Sequence, residues 1–374
     1  MIKILFMIPN LGHGGAEKVL VNLVNHMNKK KFQITVMALY DEGVNKEFLS
    51  EHITYKACFS KSVKGVSQIL KLCSPSFLYK WLIKESYDVV VSYLEGQTAR
   101  IVSGCPANGT KLISWIHVEQ HTQQKAAHCF RSIGEMKKCY FRFDQIVCVS
   151  EYVKNDFCSI VPVKNAVVLY NTVESDKIRY LSNEEVKDTF FSNDEIKLCG
   201  IGTLKKSKGF DRLLRVHKRL LREGYPVHTY ILGEGEEQPI LKSYIENENI
   251  ASTVTFLGYK KNPYKYVKQC DVFVCTSYAE GFSTAATEAL IIGVPVCTME
   301  ASGMKEMLGN NNEYGIVTKN EENDFYIKLR KLIENKELLY YYKEQAKQRG
   351  EIFNTQSTVE ATESLFENLV KQHD

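Results

Sequence analysis

Residues 277 to 296 read SYAEGFSTAATEALIIGVPV and place two carboxylates, Glu280 and Glu288, eight positions apart around glycine, hydroxyls and small side chains. Ser283 or Thr284 is suited to cap a helix, an apolar face follows, and Gly293 with Pro295 ends it. The preceding DVFVCTSY has the composition of a buried strand, so the helix would start at a strand's C-terminal edge. Free N–H groups and the positive end of the helix dipole favour a phosphate or diphosphate there, and Gly281 lets the backbone come close. Glu288 falls one turn beyond Thr284, about 6 Å along the axis, roughly the span from a diphosphate to the hydroxyls of its ribose. A carboxylate accepts two hydrogen bonds from a vicinal diol. Glu280 would then point past the diphosphate, at the sugar of a nucleotide sugar. Taken singly, each glutamate is equally an acid near a helix start, stabilised by the dipole.

Other polar residues sit in comparable places. GIGTLKKSKGFDRLL puts Lys208 directly before the Gly-Phe-Asp that opens a helix. NLGHGGAEK, residues 10 to 18, follows the first strand and has the look of a GxGxxG dinucleotide loop, but Glu17 stands where the last glycine is required. SWIHVEQH ends an apolar strand at His117, with His121 nearby, and Glu95 follows another strand in SYLEG. A lone histidine is more often structural than catalytic. There is no DxD, HExxH or GxSxG pattern, so no metal is expected on the diphosphate.

These residues need a scaffold of strand ends. Strand, loop, helix and strand alternate from IKILFMIP through FQITVMALY, YDVVVSYL, TKLISWIHV and DQIVCVS to KNAVVLYNTV, the pattern of a parallel sheet wrapped by helices. A polar stretch from Glu174 to Glu195 follows, and the pattern restarts with IKLCGIG, VHTYILGEG, STVTFLGY, CDVFVCTSY and VPVCTM. The reading is α/β with two doubly wound domains, residues 1–173 and 174–354, whose strand ends face a central cleft. The last helix, within residues 355–374, is expected to pack back on the first domain.

At 374 residues with 25% charged residues the chain is globular and too long for one ordinary core. Eleven cysteines without a CxxC pair argue against a disulfide framework or a structural zinc site. No apolar stretch reaches the ~20 residues of a membrane span, and no signal peptide is evident, so a cytoplasmic location is expected. Residues 1–173 hold 21 Lys+Arg against 13 Asp+Glu, while the remainder is net acidic. The basic half is either a solvated surface or one selected for an anionic membrane or a phosphate-bearing ligand. Residues 61–87 mix lysines with Phe77, Tyr79 and Trp81, which suits either an amphipathic helix pair on the sheet or an anionic membrane surface.

EGFSTAATEALIIGVPV resembles the E-x7-E signature of the retaining family 4 glycosyltransferases of the GT-B fold, bacterial surface-polysaccharide type. The resemblance implies that Glu288 binds the ribose and Glu280 the transferred sugar, with the backbone of Phe282, Ser283 and Thr284 around the diphosphate. GIGTLKKSKGFDRLL is similar to the segment whose arginine and lysine neutralise the donor diphosphate. Lys208 matches the lysine, but Thr203 replaces the arginine, leaving Lys205 or Lys206 to supply that charge. Gly14 and Gly15 match a loop facing the donor phosphates, and His117 matches a histidine near the reacting carbon. Glu95, His121 and Glu306 are acceptor-side candidates, the last in ASGMKEML, where Ser302 replaces a glycine of the family segment. The implied activity is metal-independent transfer, with retention, from a nucleotide-diphosphate sugar, UDP favoured over GDP, to a lipid-linked saccharide in capsule, O-antigen or exopolysaccharide synthesis. No cofactor and no nucleic acid are expected, and peripheral contact with the cytoplasmic face of the inner membrane is. The rival readings are a nucleotide-sugar epimerase or NAD-dependent oxidoreductase on the same scaffold, and a two-lobed binding protein.

Overall fold

The computed structural model describes residues 1–12, 14–62, 65–107, 109–278, 282–301 and 303–371. The chain divides into two compact units, one of residues 1–173 with 355–374 and one of 174–354.

Seven parallel strands form the sheet of the first unit: β1 (Ile2–Ile8), β2 (Phe32–Tyr40), β3 (Thr54–Phe59), β4 (Val89–Ser92), β5 (Lys111–Ile116), β6 (Gln145–Cys148) and β7 (Ala166–Val168), in the order β3-β2-β1-β4-β5-β6-β7. The central strands are apolar on both faces, as helices on both sides of a parallel sheet require, and β1 is buried from Ile4 to Ile8. Edge strand β3 is half-exposed and alternates polar with apolar residues, which hid it within a loop on sequence alone.

The second unit repeats the scheme with six parallel strands: β8 (Ile196–Ile201), β9 (Val227–Leu232), β10 (Val254–Gly258), β11 (Val272–Cys275), β12 (Val296–Met299) and β13 (Ile316–Thr318), in the order β10-β9-β8-β11-β12-β13. β13 has only three residues, too few to show a period. The polar stretch from Glu174 to Glu195 contains a helix, Ser175–Ser182, which belongs to this unit.

The last helix, Thr355–Lys371, returns to the first unit. Its Phe366 is fully buried and meets the rings of Phe6 and Phe32 edge-on at 5.9 and 6.4 Å. Glu363 accepts the Asn28 backbone N–H at 2.6 Å, and Glu367 pairs with Lys31 at 2.7 Å.

In each sheet the strand order reverses at one point, between β1 and β4 and between β8 and β11. The connections after the two strands diverge there, and the gap they leave is where open α/β sheets hold ligands. Thr203, Lys208, Ser283, Thr284 and Glu95 follow these strands, whereas His117 and His121 follow β5 and Glu306 follows β12.

Candidate active site

In the second unit the switch-point loops run from Gly202 to Gly209 after β8 and from Thr276 to Ser283 after β11. Ser283 caps the helix Thr284–Ile292, its Oγ accepting the Ala286 N–H at 3.4 Å, and its carbonyl accepts the Thr287 hydroxyl at 3.0 Å. Such a cap fixes where the free N–H groups begin. Phe282 and Ser283 are buried and Thr284 is half-buried. One turn on, Glu288 is buried and accepts a hydrogen bond from the Tyr264 hydroxyl at 3.3 Å. Glu280, Gly281 and Ser302 lie outside the described residues.

The loop after β8 is folded against the end of β11. Gly209 has φ +65, and a Cβ there would lie 2.1 Å from the Thr276 carbonyl oxygen, so only glycine fits the turn. The Thr276 hydroxyl donates to the Gly209 carbonyl at 2.8 Å and the Tyr278 N–H to the Ser207 carbonyl at 2.9 Å. Lys208 thus sits on a braced 3-10 turn, its alkyl stem across Gly202, while Thr203 is exposed beside it. Lys206 is paired with Asp211 at 2.8 Å, which raises its pKa, and Lys205 is exposed. Sequence reasoning missed Arg212. It is buried, donates to the side chain and carbonyl of Asn320 at 2.6 and 3.0 Å, and lies 4.6 Å from the Tyr278 ring centroid. A helical period that puts Arg212 one turn before Val216, on the buried face, was the available signal. Glu306 lies apart from these loops on the helix Met304–Leu308, half-buried, its carbonyl accepting from Arg349 at 2.7 Å.

In the first unit Gly14 is the N-cap residue and Gly15 the first residue of the helix Gly15–His26 after β1. A Cβ on Gly14 would come 2.1 Å from a Glu17 carboxylate oxygen, so that carboxylate lies folded over the glycine. Glu95 follows β4 and His117 follows β5, and the two are joined: the His117 backbone N–H donates to Glu95 Oε2 at 3.0 Å. Burial raises the pKa of Glu95 and lowers that of His117 to about 3, so the imidazole is neutral near pH 7. Its ring meets the Tyr93 backbone carbonyl, leaving Nε2 as a buried lone pair without a partner among the described residues. His217 in the second unit is also buried, but both its ring nitrogens are satisfied, by Thr229 at 2.8 Å and Thr253 at 2.9 Å. That is a core histidine; His117 is not.

The Tyr93 hydroxyl and the Trp115 Nε1–H are likewise buried and unpartnered among the described residues. Their rings stand 4.8 and 6.5 Å from the His117 ring, and 5.0 Å from each other. Unmade hydrogen bonds in a core are costly, so three together mark a place for a polar ligand or water. His121 is exposed, with φ +59, beside Glu119 and Asp156.

Comparison with known proteins gives this arrangement a family. A glycosyltransferase family 4 model matches residues 13–177, and a model of glycosyl transferases group 1 matches residues 182–349. The chain is 27% identical, over 95% of its length and 96% of the relative's, to a Campylobacter jejuni enzyme named N-acetylgalactosamine-N,N'-diacetylbacillosaminyl-diphospho-undecaprenol 4-alpha-N-acetylgalactosaminyltransferase. It is 26% identical, over 46% of either chain, to the capsular polysaccharide biosynthesis glycosyltransferase CapM of Staphylococcus aureus. The solved structure of Anabaena HepE in complex with UDP superposes with a TM-score of 0.77 at 16% identity, covering 98% of this chain and all of that one. With one glycosyltransferase family model on its first half, another on its second and two parallel-sheet units in tandem, the chain belongs to the glycosyltransferases of the GT-B fold.

Proposed function

We propose that this glycosyltransferase moves a sugar from a UDP-sugar to a hydroxyl of a lipid-diphosphate-linked glycan, with retention of configuration, in surface-polysaccharide assembly. The observation that carries the reading is the helix N-terminus at Ser283 and Thr284, set at the β8/β11 switch point with Lys208 on the neighbouring braced turn and Glu288 one turn on. It offers donors to a diphosphate, a cation beside it and a carboxylate at ribose distance. The Campylobacter relative's name supports the lipid-linked acceptor, and UDP in the Anabaena structure supports the nucleotide.

In this reading Lys208, the backbone at Phe282 to Thr284 and the dipole of the helix Thr284–Ile292 meet the charge that develops on the departing diphosphate, without a metal ion. Glu280 contacts the transferred sugar, a role that rests on the family resemblance. His117 Nε2 accepts a hydrogen bond from a sugar hydroxyl, and Gly14 and Gly15 admit phosphate to the helix start after β1. Glu95, His121 and Glu306 remain assigned to the acceptor. The epimerase or NAD-dependent alternative would need a third loop glycine where Glu17 stands. Incubation with a panel of nucleotide sugars and lipid-linked glycan extract tests the reading: free UDP should appear only with acceptor present, and consumption of no donor would overturn it.

The membrane contact belongs to the same proposal. Among the described residues no helix is long and apolar enough to cross a membrane. The helices Val66–Leu72 and Pro75–Leu82 bury Leu70, Leu78 and Tyr79 while exposing Ile69, Leu72, Phe77 and Trp81. Buried Arg100, held bidentate by Glu135, donates to the Leu70, Lys71 and Cys73 carbonyls and so fixes the junction between them. Exposed apolar rings among Lys61, Lys71, Lys80 and Lys84 suit an anionic lipid surface on the cytoplasmic side; Lys64 lies outside the described residues. Flotation with liposomes should recover the protein only when anionic lipid is included.

A further inference from the structure

We propose that Tyr93 and Trp115, together with His117, bind one hydroxyl of the acceptor saccharide and thereby set which saccharides the enzyme takes; the inference rests on the transfer reading above. Strand pairing brings the three side chains together. Ser92, the last residue of β4, is in register with Ser114 on β5, so Tyr93 comes opposite Trp115. His117 lies two residues beyond Trp115 and points to the same side of the sheet, its ring inclined by only 21° to the indole. The cluster lies directly under the surface, since residues 94–97 after Tyr93 are half-buried and Val118 after His117 is exposed.

What points to a ligand is the set of bonding groups left unmet. Tyr93, Trp115 and His117 are 0%, 3% and 6% exposed, yet the Tyr93 hydroxyl, Trp115 Nε1–H and His117 Nε2 have no hydrogen-bond partner among the described residues. Buried polar side chains are ordinarily hydrogen-bonded, so three neighbours in this state need a common cause. Each has a defined bonding sense. The indole N–H only donates. His117 is neutral, and with its other ring nitrogen at the Tyr93 carbonyl its Nε2 only accepts. The Tyr93 hydroxyl does either.

Together these groups are the complement of one hydroxyl. A sugar hydroxyl gives its proton to His117 Nε2 and accepts from Trp115 Nε1–H and Tyr93 O–H on its two lone pairs, so one small group satisfies all three. A phosphate or carboxylate does not fit, because the Nε2 lone pair opposes it. Burial first, and then the nearby Glu17 charge, raises the Tyr93 pKa, so negative charge is already disfavoured there. The donor diphosphate is assigned to the second unit, which leaves this hydroxyl to the acceptor. A site that bonds a substrate hydroxyl through buried groups rejects an analogue without it, since its own groups then stay unpaired. Tyr93 and Trp115 escaped sequence reasoning because each ends an apolar strand and reads there as a core aromatic.

The test uses the full chain and reads the site itself. The chain has two tryptophans, so Trp81→Phe leaves Trp115 as the sole indole and removes the one that a lipid surface would touch. Adding lipid-linked glycan extract should shift the Trp115 emission to longer wavelength as its N–H gains a partner. UDP-glucose alone, or the same extract with its hydroxyls O-acetylated, should leave the emission in place. In transfer assays with the extract, Trp115→Phe and Tyr93→Phe should each raise the acceptor KM severalfold and leave the donor KM unchanged, a split that lost packing does not produce. If Trp115→Phe does not fold, Tyr93→Phe, which loses a single oxygen, still decides. Transfer with no change in emission and an unaltered acceptor KM in Tyr93→Phe would overturn the hydroxyl site and leave the transfer reading standing. An emission response without consumption of any donor would do the reverse. A shift with UDP-glucose alone, or an equal shift with acetylated extract, would also overturn the site.

Discussion

The two units set different polar groups on one scaffold. Both are parallel sheets that reverse strand order once, and both follow the first strand of the reversal with a glycine-bearing loop and a helix start. At the β8/β11 reversal the polar groups are a lysine, hydroxyls and free helix N–H groups, with a carboxylate one turn behind, a set that answers negative charge. At the β1/β4 reversal and the end of neighbouring β5 they are the Glu17 and Glu95 carboxylates with the Tyr93 hydroxyl, the Trp115 Nε1–H and His117 Nε2, which have no hydrogen-bond partner among the described residues, a set suited to hydroxyls. The overall charges run the other way, since residues 1–173 are basic and the rest acidic. Net charge therefore describes what a unit's surface attracts, and the strand ends decide what its site takes.

If the units are energetically separate, a wound to one core should spare the other's ligand. Phe366→Ala removes a fully buried ring from the first unit and should cost that unit about 3–5 kcal/mol, lowering its unfolding transition in calorimetry while UDP affinity stays within twofold. Loss of UDP binding in step with stability would show that the units do not act independently. Lys208→Ala should do the reverse. With one preorganised cation gone, kcat/KM should fall by about 10² to 10³ with the melting profile little changed. A chelator should leave UDP affinity untouched, since the donor side is read as protein charge and dipole alone.

Glu288→Gln separates ribose from phosphate. The amide keeps one acceptor oxygen but loses the charge, and a hydrogen bond to a charged group contributes about 1.5–3 kcal/mol, so UDP binding should weaken roughly tenfold or more in calorimetry. Equal binding by Glu288→Gln would place the ribose elsewhere. The Tyr264 hydroxyl that donates to Glu288 survives the change, so local packing should too.

How far this was legible in the sequence depended on distance along the chain. The helix start at Ser283, its end at Gly293 and the long apolar strands follow from local patterns, and both were readable because caps and periods are short-range. Glu280 and Glu288 were singled out by spacing along one turn and helix, and of the two only Glu288 lies among the described residues. What escaped was what packing alone creates: the edge strand β3, the three-residue β13, the hydrogen bond from His117 to Glu95 across 22 positions, and Asp156 beneath His121. Thr203 is a case between. Its mismatch was visible in sequence, but that Lys206 is paired with Asp211, leaving Lys205 the better replacement for the missing arginine, needed coordinates.

The smallest effect is the sharpest test of the contrast between the units. Tyr93 has a fully buried hydroxyl with no hydrogen bond among the described residues, so Tyr93→Phe deletes a group that, without ligand, contributes only a desolvation cost. The variant should be more stable than the unaltered protein by about 1 kcal/mol, a rise of a few degrees in the melting of the first unit. Its UDP affinity should not change. If the strand ends of that unit take hydroxyls, the acceptor KM should rise severalfold at the same time, a trade of stability for binding that packing alone cannot produce. Greater stability with an unaltered KM would mean that the hydroxyl meets buried water and that the likeness between the two switch points ends at the fold.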